Sequence, residues 1–157
     1  MHAPIDVRAA CAKDPDYRLS PEDLRAWEKR NGPIPEGAIV LMRSGWGERW
    51  PDRKRYFGAE RAGETGSYHF PGFSREAAEF LVRERKIDAV GLDTPSLDHG
   101  PSRDFAAHRV FAEANVPGLE NVASLDRLPS VGATIIALPI KIGGGTGGPA
   151  RIVAILP

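Results

Sequence analysis

The chain has 157 residues, 41% apolar and 27% charged, ordinary globular usage that points to one domain, 1–157, with a proper core. Lys plus Arg is 21 and Asp plus Glu is 21, so the charge balance gives no support to a nucleic-acid or anionic-membrane partner. The lone cysteine, Cys11, cannot form an internal disulfide. With no apolar run of membrane-span length and no signal-peptide pattern at the N-terminus, the expected location is cytoplasmic.

Residues 4–7, "PIDV", read as a short strand and residues 10–17, "ACAKDPDY", as a loop. "SPEDLRAWEKRNG" predicts a helix: Ser20 caps it, Pro21 takes the first helical position, acids fill the first turn, and Asn31-Gly32 ends it. Leu24 and Trp27 form its apolar stripe. "AIVLMR", 38–43, predicts a buried strand. A long irregular stretch, 44–72, follows; loops of that length inside a domain are usually functional or mobile. "SREAAEFLVRER" predicts a second helix capped by Ser74, with Ala77, Phe80 and Leu81 inward, and "DAVGLD" the next strand. "DFAAHRVFAEAN" predicts a third helix with Asp104 as cap and Asn115 as stop. "TIIALPIKI" and "RIVAIL" predict two strands joined by "GGGTGGP". Strands and helices interleave before the chain finishes on strands, which argues an α/β class with a mixed sheet and flanking helices.

Several side chains could carry chemistry. Phe105, His108 and Phe111 recur every three residues and are expected on one helix face. His108 there is either a hydrogen-bonded core histidine or a ligand. The helix rises about 10 Å from His108 to Asn115, and a turn at Val116-Pro117-Gly118 lets the chain bring Glu120 back to the level of His108. Imidazole and carboxylate are ordinary ligands for zinc or manganese, whereas Glu120 alone would serve as a helix cap or an Arg partner. "GLDTPSLDHG" follows a strand directly, and ligands of open α/β sheets gather at strand carboxyl ends. Asp93, Thr94, Ser96, Asp98 and His99 are placed there, or else simply stabilise a turn. "GGGTGG", which contains Thr146, lacks the Lys-Ser/Thr ending of a phosphate loop and is expected to let backbone approach backbone or a ligand. Trp46 and Trp50 in "GWGERW" either wall an aromatic-substrate pocket or pack the loop.

Six stretches in order, "VLMRSGWGERW", "FPGFSREAAEFLV", "AVGLDTPSLDHG", "DFAAHRVF", "GLENVASLDRLP" and "ALPIKIGGGTGGPAR", together resemble the cyclase family of metal-dependent hydrolases, the group of the kynurenine formamidases and isatin hydrolases. The resemblance implies a swivelling β/β/α fold and hydrolysis of an amide or lactam bond in a small, often aromatic substrate. It implies one or two divalent metals, zinc or manganese, and a homo-oligomer with sites near subunit contacts. It carries two metal ligands onto this chain, His108 in "AAHR" and Glu120 in "LENV". The family's N-terminal HxGTHxDxPxH motif is not found. "MHAPIDV" superficially looks like its end, but the residues that follow align better with the segment after a later strand, so His2 and Asp6 are not carried over as ligands. The chain therefore looks like a C-terminal portion of the fold. With two ligands where catalytic zinc usually has three, it is expected to be inactive alone, or else to be a non-catalytic relative serving assembly or ligand binding.

Overall fold

Apolar runs without polar alternation suit strands covered on both faces. The computed structural model describes residues 2–60, 63 and 65–157, so residues 61, 62 and 64 of the irregular 44–72 stretch lie outside the described residues. In chain order the strands are β1 (His2–Asp6), β2 (Arg18–Leu19), β3 (Ile39–Arg43), β4 (Gly72–Phe73), β5 (Ala89–Leu92), β6 (Gly118–Leu119), β7 (Thr134–Pro139) and β8 (Ala150–Ile155). The helices are α1 (Arg8–Cys11), α2 (Pro21–Asn31), α3 (Arg53–Phe57), α4 (Arg75–Phe80) and α5 (Ala106–Glu113). A π-helical turn, Leu81–Arg85, continues α4. The segment expected to be loop around Cys11 forms the single turn of α1.

The central sheet is parallel, in the order β1-β3-β5-β6. Successive β3 side chains point to opposite faces. Val40 and Met42 meet Leu24, Trp27, Phe80, Leu81 and Phe111 from α2, α4 and α5. Leu41 points the other way, into a smaller cluster with Val122, Leu125 and Ile135. Helices thus cover one face, and part of the other is covered by the β7–β8 hairpin and the short 3-10 turn Leu125–Arg127. The hairpin is antiparallel and forms a sheet of its own. The sheet expected to be mixed is therefore resolved into a parallel central layer and a separate antiparallel one. Strand β7 stops at Pro139, short of the expected 142; proline has no amide to donate to a ladder, and Ile140 N–H turns to Pro149 O instead.

Helix α2 forms as its sequence dictates. The Ser20 hydroxyl accepts from Asp23 N–H while the Asp23 carboxylate accepts from Ser20 N–H, and Gly32 ends the helix at φ 87°. Such a reciprocal cap satisfies two otherwise orphaned amides. Helix α5 departs from expectation. Phe105 precedes it at φ 49°, and no cap bond comes from Asp104. Asp98 instead accepts from the amides of Ala107 and His108. Lying outside the helix, Phe105 is 55% exposed, although its ring still sits edge-on to that of His108 with centroids 6.1 Å apart, whereas Phe111 is buried.

Candidate metal centre

Strand β5 ends at Leu92, and the connection that follows, 93–105, folds back to deliver α5 to its side of the sheet. Strand β4 braces that connection. Phe73 N–H donates to Leu97 O at 2.7 Å and Gly100 N–H to Phe70 O at 2.8 Å. The approach is so close that a Cβ on Gly72 would lie 2.4 Å from both Asp98 C and His99 N. Asp98 is thereby held in the interior beneath the first turn of α5.

Three side chains converge there. His108 Nδ1 lies 2.6 Å from Asp98 Oδ2, and its Nε2 lies 3.1 Å from Glu120 Oε1. Glu120 follows β6 directly, and Leu97 N–H donates to the same Oε1 at 3.1 Å. Among the described residues it neither caps a helix nor pairs with an Arg. The hydrogen bonds that its ring donates to Asp98 and then to Glu120 raise His108 from 6.5 to about 9 against the opposing effect of burial. Burial pushes the Asp98 carboxyl up, but the His108 ring and the amides of Ala107 and His108 more than offset it, leaving it below its usual value.

His108, Glu120 and Thr146 line one cavity of about 960 Å³, with Phe111, Leu119 and Leu125 among its apolar walls. Trp50 and Asp93 line another, of about 580 Å³, together with Tyr56, Arg8 and Arg43. Residues 121–125 border both. That strip is fixed by Asn121 N–H to Thr94 O, Val122 N–H to Leu92 O, and Tyr56 Oη donating to Asn121 Oδ1 at 2.9 Å. Five of the sequence-derived candidates are thus split between the two cavities. Asp93 is buried, and its carboxylate accepts from Ser44 N–H, Ser44 Oγ and Gly47 N–H, fixing the turn that starts the 44–49 loop. Trp46 is buried with Tyr56 and Phe70, its indole N–H donating to Tyr56 O at 2.7 Å, and lines neither cavity. Ser96 also lies outside both linings; its carbonyl accepts from Thr94 Oγ1. His2 is buried with its ring nitrogens against the carbonyls of Ala133 and Pro129, and Asp6 pairs with Arg8. Asp98, one of several candidates at the strand end, proves to be the residue bonded to His108. The cue available was an acid at the carboxyl end of a parallel strand; its partner was not visible.

An imidazole nitrogen and a carboxylate oxygen facing one cavity at 3.1 Å are donors of the right type for zinc or manganese. They fit two coordination positions. No group of three His, Cys, Asp or Glu side chains able to hold a metal is found among the described residues.

The chain belongs to the cyclase family: the family model described as "Putative cyclase" matches residues 3–99. An isatin hydrolase of Roseibium aggregatum is 36% identical over 157 residues, 98% of this chain and 58% of that protein. The structure of isatin hydrolase A from Ralstonia solanacearum superposes with a TM-score of 0.92 at 37% identity, over 99% of this chain and 59% of that one. A kynurenine formamidase of Salinibacter ruber is 37% identical over 67 residues, 43% of this chain and 31% of that protein. The chain spans a little under three-fifths of the length of the isatin hydrolase from R. aggregatum.

Proposed function

We propose that this chain belongs to a metal-dependent hydrolase acting on an amide or lactam bond of a small aromatic substrate, and that His108 and Glu120 are two of its metal ligands. The observation that carries this reading is the convergence of His108 Nε2 and Glu120 Oε1 at 3.1 Å on one cavity, in a chain 36% identical to an isatin hydrolase along nearly its whole length. A divalent metal, zinc or manganese, supplies Lewis acidity toward a carbonyl when bound. The chain's own residues shape the surroundings. The Leu97 amide holds the Glu120 carboxylate in place, Phe111 and Leu119 form an apolar wall beside the ring, and Thr146 offers a hydroxyl to the substrate. Trp50 and Asp93 belong to the neighbouring cavity and act on substrate only through it.

Two protein ligands fall short of the three usual at catalytic zinc. The isolated chain is therefore expected to bind metal weakly and to hydrolyse neither isatin nor N-formylkynurenine detectably. That shortage also favours a second reading, a non-catalytic relative that binds or assembles. Zinc and manganese titration of the purified chain tests the ligand assignment. Weak binding abolished by His108→Ala supports it, and binding indifferent to that substitution refutes it. Metal-dependent turnover lost in Glu120→Gln would refute both the inactivity and the non-catalytic reading.

Self-association is part of the same proposal. Ile136, Leu138, Ile140, Val153 and Ile155 are each 39% to 58% exposed on and beside the hairpin. Together they show on the order of 500 Å² of apolar surface, toward the top of what a typical monomer exposes, and a two-fold dimer would bury it from both sides. A cytoplasmic setting accords with the single cysteine, which is buried and whose thiol burial pushes up to about 12.

A further inference from the structure

A neutral imidazole carries one proton and two nitrogens, and in His108 each nitrogen faces a carboxylate. The two carboxylates are not equal competitors. Asp98 Oδ2 stands 2.6 Å from Nδ1 and its side chain is 4% exposed. Glu120 Oε1 stands 3.1 Å from Nε2 and its side chain is 33% exposed. A charge-assisted hydrogen bond strengthens as it shortens and as water is removed from around it. Asp98 has no freedom to turn away, because its two oxygens also accept from the amides of Ala107 and His108. The backbone of its own segment is pinned against β4 on the other side.

We infer that Asp98 is a positioning residue: it keeps the ring proton of neutral His108 on Nδ1, so that the Nε2 lone pair is turned, beside Glu120, toward the cavity. The same carboxylate sets where the ring sits and which of its nitrogens can donate electrons. Ring placement follows from its bonds to the start of α5, and tautomer from its bond to Nδ1. A metal-ligating histidine is commonly fixed in this way through its second nitrogen. What the lone pair is for rests on the function proposed above; where the proton resides does not.

The tautomer is readable without metal. In chain labelled with ¹⁵N-histidine and kept free of metal, ring nitrogen shifts report which nitrogen is protonated on the alkaline side of the His108 titration. The resonances are assigned by comparison with His108→Gln. The wild type is expected to show Nδ1 protonated and Nε2 bare. Glu120→Gln is expected to leave that pattern unchanged. Asp98→Asn removes the competing charge, leaving Glu120 the only carboxylate against the ring among the described residues, and is expected to move the proton to Nε2 in at least part of the population. A loss of helix capping alone would not move the proton. Wild type with Nε2 protonated overturns the inference, and so does an Asp98→Asn protein whose proton stays wholly on Nδ1. If Asp98→Asn does not fold, wild type and Glu120→Gln still decide, because a change of tautomer in the latter would assign the role to Glu120. A failure to bind zinc would count against the proposed function and leave the tautomer result standing.

Discussion

Replacing Gly72 with alanine should disturb His108, although the two residues do not touch. The added Cβ would sit 2.4 Å from Asp98 C and from His99 N, and 2.7 Å from Leu97 O. Ordinary carbon contacts start near 3.5 Å, so backbone on one side or the other must move by about 1 Å. Neither side moves freely, because Phe73 N–H holds Leu97 O and Gly72 N–H holds Tyr17 O. Overpacking of this kind typically costs ~1–3 kcal/mol, and contact with backbone rather than a flexible side chain puts Gly72→Ala toward the upper end. The smaller chain entropy of unfolded alanine returns about 0.4–1 kcal/mol. The net expectation is a loss of roughly 2 kcal/mol, measured by urea unfolding with linear extrapolation. The displacement also lengthens the 2.8 Å bond from Ala107 N–H to Asp98, so the amide resonances of Ala107 and His108 should shift. A variant within about 0.5 kcal/mol of wild type, with both amides unmoved, would refute the claim that β4 braces Asp98.

Glu28 accepts from Arg85 Nε at 2.6 Å and Nη2 at 2.9 Å, and from Ile34 N–H at 2.9 Å. The Arg85 hydrogen bond, outweighing burial, holds its carboxyl below 4.5. A lowered acid stabilises the fold above its unfolded value, so this contribution is present above about pH 4.5 and fades as pH falls through the depressed value. Glu28→Gln should cost about 2 kcal/mol near neutrality and flatten the acid limb of a stability profile; parallel acid limbs in the two proteins would discount the pair. On the hairpin, Leu138→Asp with Ile155→Asp places two charges on the outer apolar face. Light scattering is expected to give an oligomer for wild type and a monomer for the double variant, and a monomeric wild type would dismiss self-association through that face.

What could be read from the sequence was what depends on near neighbours. Helix α2 announces itself through Ser20, Pro21 and Gly32, each acting within one turn. The meeting of His108 and Glu120 followed from helix rise and a turn, with nothing needed from the rest of the chain. Asp98 was visible as an acid at a strand end, but its bond to His108 depends on how 93–105 folds back, and such a path has no periodicity. The start of α5 was misplaced for a related reason. Asp104 is a favoured cap type, yet the left-handed Phe105 breaks the local geometry and a carboxylate six residues earlier serves instead. Trp46 and Trp50 lie four residues apart in one loop, and one is 2% exposed while the other is 62% exposed. Burial there is decided by Tyr56 and Phe70, whose positions only the folded loop provides.

The strip 121–125 is a party wall. Both the His108–Glu120 chamber and the Trp50–Tyr56 chamber are lined by it. It hangs from a few hydrogen bonds, of which Tyr56 Oη to Asn121 Oδ1 belongs to the second chamber, while Glu120 in the first chamber is joined to Asn121 by a peptide bond. Were an occupant of one chamber to displace the strip, the volume of the other would change with it, and by thermodynamic linkage that influence would run equally in both directions.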